Sequence, residues 1–258
     1  MMELKNKTIL ITGGGSGIGQ ALTLQLAADN KVFICGRSEE KLKTVASKHK
    51  NISYFIADVS DYNSIDNLFA ELKKQNIILN VLFNNAGVVE IWEINKSELS
   101  SQEIFEKINT NLSSAIATTQ LFISQANTEI ENVIVNITSE IALFPIPILP
   151  LYATSKAGLR VFTQSLRVQL KDTKFKVVEI LPPAVDTAMP KKLNNTGKLI
   201  NANTFANQTL KSIAKGNVEF APGGNVMLLK IFSKLLPKVG LKLVDKMSRK
   251  QLLVEEHK

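Results

Sequence analysis

The sequence predicts an α/β fold: one doubly wound parallel sheet with helices on both faces. Three observations predict it. Short runs that are apolar at every position alternate with segments of helical period, which marks strands covered on both faces by crossover helices. No Pro-, Gly- or Ser-rich linker and no shift of composition divides the first 180 residues, so they read as a single domain. The length, 258 residues, suits one large α/β domain, and right-handed crossovers would wind it both ways from the centre.

The elements follow in order. Residues 7–12 (KTILIT) are β-branched and apolar and stop at Gly13. Ile18, Ala21, Leu22 and Leu26 then recur at helical spacing. Residues 32–35 (VFIC) form the second strand, and a charged helix starts at Ser38 with Glu39 and Glu40 in its first turn, where the helix dipole favours acids. Residues 52–57 (ISYFIA) form the third strand. Ser60-Asp61 opens a helix whose buried stripe is Ile65, Leu68, Phe69 and Leu72. Residues 81–83 are the fourth strand, 105–124 a long helix, 133–138 the fifth strand, 151–170 a second long helix and 177–181 the sixth strand. Residues 218–221 are the expected seventh. After Thr187 the alternation is lost, and residues 190–207 read as a polar loop carrying one or two helices. The expected division is a domain over 1–224 and a C-terminal extension over 225–258.

Composition excludes several classes of function. Hydrophobic residues are 45% and charged residues 21%, so the chain is neither disordered nor fibrous. One cysteine, Cys35, excludes an intrachain disulfide, and two histidines, His49 and His257, are too few for a zinc centre, so no metal is expected. The longest uncharged apolar stretch, 141–153, is thirteen residues with three prolines, whereas a spanning helix needs roughly twenty apolar residues. No signal peptide is evident at the N-terminus, and a cytoplasmic location is expected. Net charge is +8, of which residues 225–258 carry +5. The basic character belongs mainly to the tail, and no nucleic-acid partner is expected.

Between the first strand and the first helix lies Thr12-Gly-Gly-Gly-Ser-Gly-Ile-Gly19, a TGxxxGxG spacing. Glycine reaches φ > 0 for a tight turn, and its missing Cβ lets a pyrophosphate approach the backbone. The next helix N-terminus offers N–H groups and positive dipole to such an anion. A strand before and a helix after are the context this motif requires.

Three further segments extend the pattern: Asn84-Asn85-Ala86-Gly87 after the fourth strand, Ser139 after the fifth, and Tyr152-Ala-Thr-Ser-Lys156 on the helix that follows. With these the chain resembles the classical short-chain dehydrogenases/reductases from about Leu4 to Thr187. The resemblance implies a Rossmann-type NADP-binding catalytic domain in which Asn111, Ser139, Tyr152 and Lys156 form the catalytic set. It also implies that Gly13, Ser16, Gly17, Ile18, Gly19, Arg37, Asp58, Val59, Asn85, Ala86, Gly87, Pro182, Val185 and Thr187 hold the cofactor with Tyr152 and Lys156. The segment 181–187 (LPPAVDT) resembles the family's PGxVxT, with Pro183 in place of the usual glycine. That variant, with RVQLKDT before it, is similar to the DltE-type subgroup found beside cell-wall D-alanylation genes.

The residue types suit the chemistry. Tyr152 and Lys156 stand at i and i+4, on one helix face. A phenol with a pKa of about 10 is a poor base at neutral pH, and an ammonium some 4 Å away would supply up to ~4 kcal/mol, or about three pKa units. Lys156 is therefore expected to lower Tyr152 toward the range of a general acid/base. Ser139, at the carboxyl end of a strand, can donate to a substrate carbonyl oxygen. By resemblance Asn111 would hold a water joining Lys156 to solvent. Asn109 is close by, and 111 is chosen because the family shows an apolar residue after that asparagine.

The second strand ends at Gly36-Arg37-Ser38 with no acid for a ribose 2′-hydroxyl, while Arg37 can pair with a 2′-phosphate, so the expected cofactor is NADP. Asp58-Val59 resembles the family's adenine-binding pair. Leu143, Phe144, Ile146, Ile148 and Leu149, with Trp92, Val185 and Met189, either line an apolar pocket with one polar corner or pack the core. In the tail Lys230, Lys234, Lys238, Lys242 and Lys246 recur every four residues among leucines and valines, with Pro237 and Gly240 expected to break it into two short helices. Such a pair lies on an anionic membrane or packs against the domain or a second subunit, and both readings stand. The leading function is an NADP-dependent oxidoreductase interconverting a carbonyl and a secondary alcohol, expected to be a homo-oligomer acting on a small, fairly apolar substrate. The competing readings are a non-catalytic NADP-binding regulator and a sugar epimerase or dehydratase, the latter disfavoured by length and glycine spacing.

Overall fold

The computed structural model describes residues 2, 4–189, 199–223 and 226–252. Its sheet has seven strands, all parallel: β1 (Thr8–Thr12), β2 (Lys31–Gly36), β3 (Ile52–Ile56), β4 (Val81–Asn84), β5 (Asn132–Ile137), β6 (Phe175–Ile180) and β9 (Glu219–Phe220), in the order β3-β2-β1-β4-β5-β6-β9. Two short strands, β7 (Val185–Asp186) and β8 (Ile200–Asn201), pair separately.

Side chains alternate across the strands, so each strand feeds two cores. Ile9, Ile11, Val81, Phe83, Val133 and Val135 pack on one face against Leu22 of α1 (Gly17–Leu26), Leu42 of α2 (Glu39–Ala46) and Phe205 and Ile213 of the Ala202–Ala214 helix. Leu10, Leu82, Ile134 and Val177 face the other way, against Leu68 and Phe69 of α3 (Tyr62–Lys74), Phe122 of α5 (Ser114–Gln125) and Leu166 of α6 (Pro150–Gln169). Burial on both faces is why these strands are apolar at every position.

Three expectations are corrected. The helix expected over 105–124 begins earlier, as α4 (Ser101–Ile108), because Ser100 and Glu103 form a reciprocal capping box. It is then interrupted by one π-helical turn, Asn109–Ser113, before α5. Gly240 does not break the tail. It lies buried within the Pro237–Leu252 helix, and Gly240 N–H donates to the Leu236 carbonyl. Pro237 does separate that helix from Val226–Leu235, because proline is tolerated at a helix start and not inside one. Of the polar loop expected over 190–207, residues 190–198 lie outside the described residues, and 202–207 begin the Ala202–Ala214 helix, capped by Asn201.

The strand order reverses between β1 and β4. Chains leave these two strands in opposite directions there, which opens a crevice at their carboxyl ends.

Candidate active site

A cleft of about 810 Å³ occupies that crevice. The glycine turn forms its floor. Gly13 (φ +67°) and Gly17 (φ +55°) are in the left-handed region that favours glycine. A Cβ on Gly19 would stand 2.4 Å from the Gly13 carbonyl oxygen and 2.5 Å from Asn85 Nδ2. Gly13, Ser16, Gly17 and Ile18 line the cleft, whereas Gly19 does not. The close approach of α1 to the turn leaves no room for a side chain at Gly19. The bare-backbone turn at a helix N-terminus fits a dinucleotide pyrophosphate. Gly19→Ala should destabilise the fold by about 1–3 kcal/mol through overpacking against rigid backbone. Thermal unfolding reads this, and an unchanged midpoint would show that the turn relaxes freely.

Thr12, the first residue of the TGxxxGxG motif, joins the glycine turn to the NNAG turn. Its hydroxyl accepts from Asn85 N–H and Ala86 N–H, both at 3.0 Å, and Asn85 Nδ2 donates to its carbonyl at 2.9 Å. Behind it a buried polar network fixes the neighbouring strands. Asn84 donates to Thr119 Oγ1 at 2.9 Å and to Asn136 Oδ1 at 2.8 Å, and Asn136 donates to Thr163 Oγ1 of α6 at 2.8 Å. Full satisfaction of such groups ties β4, β5, α5 and α6 into one relative placement, which sets where Ser139 and Tyr152 stand.

Ser139, Tyr152 and Lys156 converge on the wall of the cleft. Ser139 also accepts from Ile141 N–H at 3.2 Å, which fixes its rotamer. Lys156, 3% exposed, donates to the Ile137 carbonyl at 2.8 Å, and its Nζ lies 5.8 Å from the Tyr152 ring centroid. Its expected effect on Tyr152 is absent in the protein by itself. Burial pushes the Tyr152 phenol up to about 12, with the Ser139 hydroxyl pulling the other way. Burial likewise pulls the Lys156 ammonium down to about 8. Desolvation opposes charge on both groups.

Asn111 sits in the π turn and does not line the cleft. Its Oδ1 accepts from Val88 N–H at 2.8 Å and its Nδ2 donates to the Val88 carbonyl at 2.9 Å. A Cβ on Gly87 would lie 3.2 Å from Asn111 Oδ1 and 3.6 Å from Lys156 Nζ, so the glycine lets the loop pass between them. The π turn carries an extra residue that swings Asn111 toward this loop, a common use of π turns at functional sites.

Arg37, Asp58, Val59, Asn85, Ala86, Gly87, Pro182, Val185 and Thr187 also line the cleft. One Asp58 carboxylate oxygen accepts from Ser60 N–H at 2.9 Å and Ser60 Oγ at 2.7 Å, so this side chain also shapes its own turn. Glu39 is turned away, paired with Lys43 Nζ at 3.0 Å and accepting from Tyr54 Oη at 3.3 Å. Lys41, unnoticed in the sequence, lines the cleft beside Arg37 and Ser38. It stands in the first turn of α2, just after the Ser38 cap.

The apolar candidates divide. Phe144, Ile146, Leu149 and Met189 line the cleft, whereas Ile148 is fully buried in a small core, and Trp92 donates through its backbone N–H to the Ile148 carbonyl and through Nε1 to the Ser97 carbonyl, both at 3.0 Å. Glu140 adds a carboxylate to the polar corner, pushed up by burial, and its Oε1 is buried without a hydrogen-bond partner among the described residues. The remaining wall comes from the tail. Leu229, Val244, Met247 and Ser248 line the cleft, and Arg249 clasps Glu93 at 2.6 Å and Asp245 at 3.0 Å. Among the described residues no cluster of His, Cys, Asp or Glu could hold a metal, and no helix is long and apolar enough to cross a membrane.

Comparison with known proteins agrees with this geometry. A family model described as short chain dehydrogenase matches residues 7–198. The uncharacterized oxidoreductase DltE of Bacillus subtilis (strain 168) is 34% identical over 226 residues, 84% of this chain and 88% of that protein. Human 17-beta-hydroxysteroid dehydrogenase type 3 is 29% identical over 215 residues, 80% of this chain and 68% of that protein. A crystal structure of a short chain dehydrogenase/reductase from Burkholderia phymatum in complex with NAD shares the fold, with a TM-score of 0.80 at 20% identity, covering 90% of this chain and 94% of that one.

Proposed function

Because the chain belongs to the short chain dehydrogenase family of oxidoreductases and is DltE-like, we propose that it interconverts an apolar carbonyl compound and its secondary alcohol with NADP(H) as cofactor. The observation that carries this reading is the convergence of Ser139, Tyr152 and the buried Lys156 on the wall of one cleft. Bound NADPH supplies the hydride that becomes the carbinol hydrogen.

Ser139 donates to the substrate oxygen and holds it beside Tyr152. The Tyr152 phenol, which burial keeps protonated, gives its proton to that oxygen as the carbonyl is reduced, and takes it back in the oxidation direction. Lys156 stabilises the phenolate left behind and passes it a proton. Asn111 acts as a positioning residue: it holds Val88, and so the Gly87 backbone, against Lys156. By the family resemblance, a water held by Asn111 would complete a relay from Lys156 to solvent. Arg37 and Lys41 bring two cations to the adenosine end, where no carboxylate lines the wall except Asp58. That supports a 2′-phosphate rather than a bare ribose.

Phe144, Ile146, Leu149 and Met189 support an apolar substrate, whose burial contributes about 25 cal/mol per Å². Exposed Phe105, Ile116, Val161 and Val168, on α4, α5 and α6, offer a face for a second copy. The buried, unpaired Cys35 suits a reducing cytoplasm. A panel of apolar and polar ketones and alcohols, followed by nicotinamide absorbance, tests the proposal. NADPH oxidation by apolar ketones is expected. Tight NADPH binding with no turnover across the panel would favour a regulator instead.

A further inference from the structure

The Pro237–Leu252 helix presents an unusual outer surface. Its i, i+4 row Gly240, Val244 and Ser248 faces the body of the protein: Gly240 and Ser248 are buried and Val244 lines the cleft. The opposite row is Lys238, Lys242, Lys246 and Lys250, all exposed. Beside the lysines runs a third row, Val239, Leu243 and Met247, exposed by 57%, 43% and 50%. The preceding helix adds Ile231 and Leu235, the latter 72% exposed, with Leu236 at the junction. An ordinary surface helix turns its apolar stripe inward and its charges outward. Here an apolar row is turned out alongside a cationic one. The acid described on this helix, Asp245, is neutralised by Arg249.

We propose that this outer face docks the protein peripherally on an anionic lipid surface. The apolar row enters the headgroup–acyl boundary, and the lysine stems extend along it to place their ammonium groups on lipid phosphates. Charge selects lipid over a second copy of this chain. A two-fold contact through the same face would set the lysine row against its own image. The docked face is continuous with the cleft, because Met247 belongs to the apolar row and also lines the cavity. An apolar substrate dissolved in the bilayer would therefore meet the cleft at its rim. The docking itself stands independently of the reductase reading, since it is measured without turnover.

The test is co-sedimentation of the full-length protein with phosphatidylglycerol or phosphatidylcholine vesicles at low and high salt. Pelleting with the anionic vesicles at low salt and release at high salt are expected. Each lysine near an anionic surface contributes about fivefold in affinity, so Lys238→Ala with Lys242→Ala should weaken binding about 25-fold. Val239→Ser with Leu243→Ser should weaken it even at low salt. Neither pair lines the cleft, so NADPH binding and the unfolding midpoint should stay unchanged in both variants. Truncation is the poorer variant, because it also removes a wall of the cavity. Equal pelleting with neutral vesicles, no pelleting with anionic ones, or undiminished binding by both variants would overturn the proposal. A sedimentation mass that halves on Val239→Ser with Leu243→Ser would overturn it too, assigning the face to a second copy.

Discussion

Tyr152→Phe should lower kcat by at least a hundredfold while leaving NADPH affinity near wild type. The ring remains and keeps its packing, and only the proton donor is lost. General acid–base catalysis typically contributes 10²–10⁴-fold, so retention of more than about a tenth of wild-type turnover would remove Tyr152 from the mechanism. The pH profile is a second readout. Tyr152 is held up at about 12 and Lys156 down at about 8, so the pair loses its first proton near pH 8. The reactive form for alcohol oxidation, phenolate beside ammonium, has the same proton count as phenol beside neutral amine. Oxidation should therefore rise with pH up to about 8 and then level. Reduction needs both protons and should fall above that pH. Oxidation that is flat well below pH 8 would show that the pair does not titrate as a unit. Stability carries the matching sign for Lys156. A lysine whose folded value is depressed takes up less charge than the unfolded chain, so its contribution improves as pH rises from about 8 toward 10.5.

The wild type should favour NADPH over NADH by at least tenfold in kcat/KM, and Gly36→Asp with Arg37→Ser should reverse much of that preference. Arg37 and Lys41 both line the adenosine end of the cleft, and Glu39, the nearest acid in sequence, is held outside by Lys43 and Tyr54. A charge-assisted contact to a phosphate contributes roughly 1.5–3 kcal/mol, or about ten- to a hundredfold. An aspartate at the end of β2 would supply the ribose-hydroxyl acceptor that this chain lacks and would repel a phosphate. The Burkholderia phymatum structure was solved with NAD, but at 20% identity it shares only the fold. Lys41→Ala separates the two cations: NADPH affinity should fall and NADH affinity should hold. Equal use of the two cofactors by the wild type would make Arg37 and Lys41 ordinary surface cations.

Much of the site was legible because its chemistry is local in sequence. The glycine turn must follow a strand and open a helix, and Tyr152 and Lys156 share a face through the i, i+4 rule. The role of Thr12 is not legible in the motif because its partners lie elsewhere in the fold. Thr12 acts on Asn85 and Ala86, 73 and 74 residues away. That Gly19 has no room for a side chain is likewise a matter of its approach to Gly13 and Asn85, which spacing alone does not show.

By itself the sequence determined the parallel sheet, its doubly wound order and the positions of Ser139, Tyr152 and Lys156, because hydrophobic period and motif spacing depend on nearest neighbours along the chain. The tertiary structure decided what the neighbours in space control. It decided the electrostatic state of the Tyr152–Lys156 pair, because desolvation depends on everything packed around the two groups. It decided that the amide of Asn111 is held by Val88, because a π turn reorients a side chain that an uninterrupted helix would place elsewhere. It also placed the basic tail against the cleft, with Val244 and Ser248 turned inward and the lysine row outward. A helical pattern fixes which residues share a face, but only packing against the rest of the molecule chooses which face is buried.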